Sequence, residues 1–460
     1  MSATADTPRA ETAADLWTAP SVHGPLEAVV TLPGSKSITN RALVLAALAD
    51  APSVVRRALR SRDTLLMARA LETLGARVDT TGDDWAVTPI PADAEAAGAA
   101  GIGDAVVDCG LAGTVMRFVP PAAGLARGAV RFDGDPHMRN RPVGEILTAL
   151  GALGLRIDDG QDGLPGTLPF TVHGEGSVPG GTVVIDASAS SQFVSALLLA
   201  GARFERGVDV RHDGKPIPSL PHVEMSVAML RERGVRVDDA DANRWAVCPG
   251  PISAVDEVVE PGLSNAAPFL ALAAVSGGSV TVRDWPASTT QAGDALRDLL
   301  SRMGCTVDRV DDGLRVTGPT DGHRGLRGLV ADLHDVGELA PAVAALCALA
   351  STPSELTGIA HIRGHETDRL AALAAELGAL GARIEELEDG LRITPAPLTG
   401  GVFHTYADHR MAHAAAIVGL AVPGVQVENI ATTAKTFPDF AGFWSGLMPA
   451  DSVDAADTHA

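Results

Sequence analysis

Five times along this 460-residue chain, a Leu/Ala-rich stretch stops at a glycine and passes at once into a short alternating segment that carries an acidic residue. The copies are Leu71-Glu-Thr-Leu-Gly-Ala-Arg-Val-Asp79, Leu150-Gly-Ala-Leu-Gly-Leu-Arg-Ile-Asp158, Leu230-Arg-Glu-Arg-Gly-Val-Arg-Val-Asp238, Leu300-Ser-Arg-Met-Gly-Cys-Thr-Val-Asp308 and Leu377-Gly-Ala-Leu-Gly-Ala-Arg-Ile-Glu385. Glycine there suits a helix C-cap, and the Val/Ile alternation after it suits a half-buried strand. Turn pairs downstream, such as Asp312-Gly313 and Asp389-Gly390, then predict a hairpin. A chain built this way is mixed α/β (α+β), and its interval is too long for the roughly 20–50-residue period of a solenoid.

A final helical stretch, Asp439 to Leu447, predicts a sixth copy whose strands are less obvious. Six copies divide into two similar lobes, each of three repeated βαβαββ-like units. The lobes are expected at 35–257 and at 15–34 plus 258–448. The tails 1–14 and 449–460 are expected to be disordered, because their small and acidic residues bury too little surface.

Lysines and arginines number 36 against 57 aspartates and glutamates, a formal charge of −21. That balance argues against nucleic acid or an anionic membrane as partner, and it makes any anion site a local concentration of cations. Only Lys36, Lys215 and Lys435 are lysines. An ammonium can shift its pKa and exchange a proton where a guanidinium stays charged, so these positions are candidates for chemistry. Cys109, Cys248, Cys305 and Cys347 are too scattered for a metal or redox pair and read as reduced structural thiols. The first residues lack an apolar signal segment and no stretch is long and apolar enough to span a bilayer, so a cytoplasmic location is expected.

Thr31-Leu-Pro-Gly-Ser-Lys-Ser-Ile-Thr-Asn-Arg41 reads as strand, glycine turn and helix start. Unpaired amides at such a start favour an anion, and Ser37 and Arg41 share a face at i, i+4. A nucleotide P-loop is excluded, because Ser35 separates Gly34 from Lys36. Gly110-Leu-Ala-Gly-Thr-Val-Met-Arg117 repeats the design, with Gly113 permitting close approach of a ligand. Ser190, Ser191 and Gln192 open a third apolar helix, either as polar ligands or simply as its cap. Arg139 and Arg141 share a polar loop, where they either clamp one carboxylate or phosphate together or lie solvated.

In the second half, His361-Ile-Arg-Gly-His-Glu-Thr-Asp-Arg-Leu370 and Tyr406-Ala-Asp-His-Arg-Met-Ala412 set carboxylates beside cations. A helix would group His365 and Glu366 with Arg369, and a carboxylate perturbed by such neighbours suits proton transfer. His409 and His413 have no nearby cysteine or paired acidic motif, so no metal site is expected.

In order, these segments resemble the enolpyruvyl transferase family, and within it the shikimate-pathway branch. The resemblance rests on Leu32-Pro-Gly-Ser-Lys-Ser37, Ala112-Gly-Thr-Val-Met-Arg117, Arg141-Pro142, Ser190-Ser191-Gln192, Glu366-Thr-Asp-Arg369, Asp408-His-Arg410 and Lys435-Thr-Phe-Pro-Asp439, spread over nearly the whole chain. It implies two lobes of three units, in agreement with the repeat count, closing on substrates in an active-site cleft between them. It also implies transfer of the enolpyruvyl group of phosphoenolpyruvate to the 5-hydroxyl of shikimate 3-phosphate, by addition and then elimination of phosphate. No metal or organic cofactor is implied, and a monomer acting on small molecules is expected.

By resemblance, Ser37, Arg41, Ser190, Ser191, Gln192 and Ser219 bind shikimate 3-phosphate, with Glu338 and His365 alongside and Lys36 at the junction of both substrates. Gly113, Arg141, Gln192, Arg369, Arg410 and Lys435 hold the phosphate and carboxylate of phosphoenolpyruvate. Glu338, where the family usually has aspartate, takes the acceptor's proton. Glu366, with Lys36, protonates the methylene and later removes a proton. A phosphoenolpyruvate analogue such as glyphosate is expected to compete for the same cations.

Three positions depart from the family's commoner pattern: His365 stands where lysine is frequent, His222 where tyrosine is and Leu111 where asparagine is. The first predicts that phosphoenolpyruvate binding weakens above about pH 7, as an ordinary imidazole loses its proton. Two rival readings compete. The sister transferase for a UDP-linked amino sugar typically carries a reactive loop cysteine and a Lys-Asn pair, where this chain has Lys36-Ser37 and no matching cysteine. A catalytically silent binding relative would not need Lys36, Glu366 and Arg410 together.

Overall fold

All five glycines that end the repeated helices take positive φ: Gly75 at 105°, Gly154 at 102°, Gly234 at 74°, Gly304 at 104° and Gly381 at 105°. A residue with a β-carbon is strained at these angles, so the helix stops there and the chain turns into its strand. In the computed structural model, which describes residues 15–91, 103–160 and 163–448, each of these strands is the edge of a four-stranded sheet. The expected tails, 1–14 and 449–460, lie outside the described residues.

One sheet shows the pattern. Ala105–Asp108 runs parallel to Arg127–Asp133, which pairs antiparallel with Phe170–Glu175, which in turn pairs antiparallel with Arg156–Asp159. Helices Gly113–Ala123 and Gly144–Ala152 make the connections, giving the β-α-β-α-β-β unit that the sequence predicts. The other four-stranded sheets among the described residues keep this order. A further sheet has three strands: Val402–Phe403, Gln426–Glu428 and, brought from the N-terminal side, Leu16–Thr18. Val29, Val106, Val184, Val258, Val330 and Val402 are exposed, and each sits on the outer parallel strand of a different sheet.

Three helices form the centre of each lobe. Lys36–Ala47, Gly113–Ala123 and Gln192–Gly201 pack together in the first, and Ala267–Ser276, Ala340–Leu349 and His409–Ala421 in the second. Nearly every residue in them is buried. Helices apolar on all sides are stable only inside a large core. The first core draws on residues 38–259 and the second on 19–32 together with 263–448.

The chain crosses between lobes twice, side by side. Glu27–Val30 pairs with Ser279–Arg283 in the second lobe before the chain enters the first. Glu257–Val258 pairs with Ser53–Arg56 in the first lobe before it leaves. A short bridge joins the crossings: the Ser35 amide donates to Glu260 O at 2.8 Å and the Gly262 amide to Pro33 O at 2.9 Å. Glycine is required at position 34, because a β-carbon there would collide with the Arg57 carbonyl oxygen.

Candidate active site

The central helices begin at the gap between the lobes. Lys36, Gly113, Gln192 and His409 are first residues of their helices, while Ser264 and Glu338 stand in the 3-10 turns that lead into the other two, and all of them line one cavity of about 380 Å³. That is within the roughly 300–1,000 Å³ of small-molecule sites. Several sets of unpaired N–H groups and positive dipole ends therefore converge on one space. Among the described residues, the wall adds Lys36, Arg41, Arg117, Arg141, Arg369, Arg410 and Lys435 against only Asp63, Glu338 and Glu366. In a chain of net charge −21 this is the local concentration of cations an anion site needs.

Every residue that the resemblance assigns to substrate binding or catalysis lines this cavity. The first lobe supplies Lys36, Ser37, Arg41, Gly113, Arg141, Ser190, Ser191, Gln192 and Ser219; the second supplies Glu338, His365, Glu366, Arg369, Arg410 and Lys435. The lobes are tied across it: Lys435 Nζ lies 4.0 Å from Asp63 Oδ2 and 3.4 Å from Leu111 O, and the Ser219 amide donates to His334 O at 3.1 Å.

Glu366 is the electrostatic centre. One oxygen accepts from Lys435 Nζ at 2.7 Å and the other from His409 Nδ1 at 3.0 Å. Burial opposes its charge, but His409, Lys435 and Lys36 hold its carboxyl well below the usual range. Burial pushes His409 down to about 4, so at neutral pH it is an uncharged ring donating Nδ1–H. Lys36 Nζ lies 3.3 Å from Asp63 Oδ2. Burial lowers the Lys36 pKa, and Lys435 adds to this, although Asp63 works the other way. Glu338 Oε2 is 3.7 Å from Arg410 Nη2. Burial opposes its ionisation, yet His222 and Arg410 bring its pKa below the ordinary value.

Arginines are held by different means. Arg369 Nε and Nη2 grip Asp408 Oδ2 and Oδ1 at 2.7 and 3.1 Å, a fully buried two-pronged pair. Arg410 donates to Ser264 O at 2.8 Å and to its Oγ at 2.7 Å. Arg117 binds Gln192 Oε1 at 2.9 Å and Pro142 O at 3.1 Å, while the buried Nε atoms of Arg117 and Arg141 find no partner among the described residues. Arg41 gives its donors to Ser226 Oγ, Ser195 Oγ, Ser37 O and His222 O. Burial pulls its pKa down to about 9, which leaves it charged at neutral pH. Ahead of Asp408, Tyr406 and Ala407 both take φ of 55°. Each such left-handed residue costs about 1–2 kcal/mol.

The family model of EPSP synthase (3-phosphoshikimate 1-carboxyvinyltransferase) matches residues 21–444. This chain belongs to the EPSP synthase family. A protein named 3-phosphoshikimate 1-carboxyvinyltransferase from Kocuria rhizophila is 56% identical over 444 residues, covering 94% of this chain and 97% of that one. An EPSP synthase structure from Acinetobacter baumannii superposes with a TM-score of 0.75 at 23% identity, over 94% of this chain and 96% of the other. The enolpyruvyl transferase NikO from Streptomyces tendae follows at 0.70 and 20%, over 94% and 97%. These distant structures establish the two-lobed fold alone.

For this member of the EPSP synthase family, one open alternative is decided and one sequence expectation is corrected. Arg139 does not join Arg141: it turns outward and forms a half-exposed pair with Asp133, both contacts at 2.9 Å. His365 has no proton to lose near pH 7. Its Nδ1 lies 3.2 Å from Arg369 Nη1, and a guanidinium can only donate, so Nδ1 accepts and the proton sits on Nε2. Burial, reinforced by Arg369, pushes this imidazole well below its usual pKa.

Sequence reasoning missed Asp63, Ser264 and Asn265 in the wall. Asp63 stands in the first turn of Arg62–Thr73, where an acidic residue reads as a dipole partner rather than as the mate of a lysine in another helix. Among the described residues, Glu366, Asp408 and His409 could together approach a metal ion. Their donor atoms already serve Lys435, Arg369 and one another, and a cation would meet those charges.

Proposed function

We propose that this protein transfers the enolpyruvyl group of phosphoenolpyruvate to the 5-hydroxyl of shikimate 3-phosphate, releasing phosphate. The observation that carries this reading is a single cavity in which cations from both lobes surround two ionised carboxylates, Glu338 and Glu366, beside a lysine of lowered pKa. Ser37, Ser190, Ser191, Gln192 and Ser219 hold the acceptor on the first-lobe side. Arg41 contributes its charge and fixes Ser37 and His222. Arg141, Arg369, Arg410 and Lys435 hold the three-carbon anion over Gly113.

In the addition step Glu338 takes the proton of the 5-hydroxyl as that oxygen attacks C2, and a proton goes to the methylene carbon. Lys36 is the group suited to deliver it, since Glu366 is ionised and burial makes the ammonium more acidic. In the elimination step a proton leaves the new methyl group for Glu366 as the bond from C2 to the phosphate oxygen breaks. Substrate anions neutralise the cations that hold Glu366 low, which raises its pKa toward the range of a useful base. Closure of the lobes over the bound substrates would exclude water from the cationic centre at C2.

Phosphate release from phosphoenolpyruvate, measured with shikimate 3-phosphate and in parallel with UDP-N-acetylglucosamine, tests the reading. Release with the first acceptor only is expected. Release with the second, or with neither, would replace it by the sister transferase or by a silent binding relative.

Two further outcomes are expected. Dissociation constants of phosphoenolpyruvate for wild type and His365→Gln should keep the same pH dependence from pH 6 to 8.5, because His365 is already neutral there. A loss of affinity above pH 7 seen in wild type alone would contradict this. Gly113→Ala should raise the KM for phosphoenolpyruvate several-fold, since its β-carbon would stand 3.0 Å from Arg141 Nη1 and displace that guanidinium.

A further inference from the structure

Three consecutive residues each carry one link of the site: Asp408 grips Arg369, His409 donates to Glu366, and Arg410 binds Ser264 and faces Glu338. The two residues before them, Tyr406 and Ala407, are both left-handed at φ 55°, a conformation in which glycine alone is at ease. This turn is held chiefly from one helix, Arg369–Ala379. Glu376 on that helix accepts from Tyr406 Oη at 2.6 Å and from the His404 amide at 2.8 Å. Two turns earlier on the same face, Arg369 grips Asp408. Thr432 Oγ1 adds a bond to Ala407 O at 2.9 Å. Glu376 is only 4% exposed with both oxygens in use, whereas Tyr406 is 46% exposed. The ring therefore contributes little burial, and the hydroxyl is what ties it down.

We propose that Tyr406 is a positioning residue: through Glu376 it holds a strained turn that fixes the helix start delivering Asp408, His409 and Arg410 to the cavity. The proposal rests on the reading that these second-lobe groups handle phosphoenolpyruvate. Removing the hydroxyl lets the turn relax toward ordinary angles and draws Asp408, with Arg369, out of place. Shikimate 3-phosphate, held mainly by the first lobe, does not register the change.

The test compares wild type, Tyr406→Phe and Tyr406→Phe/Ala407→Gly in steady-state kinetics, with shikimate 3-phosphate binding measured directly and melting temperature recorded for each. Tyr406→Phe is expected to raise the KM for phosphoenolpyruvate roughly tenfold, with shikimate 3-phosphate affinity unchanged. Ala407→Gly in that background should recover part of the loss, because glycine keeps the turn without needing the clamp. A lower melting temperature with an unchanged KM would overturn the proposal, as would equal weakening of both substrates or a KM defect that glycine leaves untouched. Absence of turnover in the wild type would instead overturn the functional reading on which it rests.

Discussion

Replacing Glu366 with glutamine is expected to lower kcat by about 10²–10⁴-fold while phosphoenolpyruvate binds as well as before or more tightly. The two effects separate because the carboxylate sits among cations. Glutamine's oxygen still accepts from Lys435 and its amide can donate to His409 once that ring changes tautomer, but it cannot receive the proton, and it leaves Lys36 and Lys435 less neutralised toward an incoming anion. Single-turnover rates and equilibrium binding would distinguish this from a general loosening of the site, in which affinity falls along with rate. A variant that kept wild-type kcat would remove Glu366 from the chemistry and leave Lys36 and Glu338 to carry it.

Asp408→Asn is expected to be the most destabilising conservative change in the site, costing about 3–5 kcal/mol, the range for removing one partner of a buried ion pair. Arg369 is 3% exposed and Asp408 fully buried, so the guanidinium would be left charged with little water to solvate it. Asparagine still caps the helix, so the loss isolates the charge. The measurement is the urea midpoint, taken with and without millimolar phosphoenolpyruvate. An anion seated on Arg369 would stand in for the missing carboxylate, so the ligand should recover more stability in the variant than in wild type. A midpoint within error of wild type would mean that the pair orients Arg369 without contributing to stability.

The fold was legible to the extent that it is written locally. A helix that must end in a left-handed glycine and continue as a strand leaves the same short signature each time, and Gly75 through Gly381 carry it. The final unit was harder to read because its antiparallel strand, Leu16–Thr18, comes from the opposite end of the chain, and no local pattern announces that partnership. The site shows the same division. Motifs at helix starts exposed Lys36, Gly113, Gln192 and Arg410, and the charged run just before another helix exposed Glu366, since serine, glycine and paired charges there have few other reasons to cluster. What depends on distant packing stayed hidden: the Lys36–Asp63 pair, the outward turn of Arg139, and the neutral His365 whose tautomer Arg369 dictates.

The double crossing between the lobes sets an order of assembly during synthesis. The strand Glu27–Val30 is made before the first lobe, yet its partner Ser279–Arg283 follows only after that entire lobe, and Leu16–Thr18 waits still longer for Gln426–Glu428. The first lobe can thus close while the ribosome is still at work, and the second cannot. Until then a hydrophobic edge strand trails from the finished half, so a nascent chain has reason to occupy a chaperone. A permuted gene that begins at the second crossing and links the helix Phe440–Gly446 to the strand Leu16–Thr18 would make both lobes contiguous and shorten that wait.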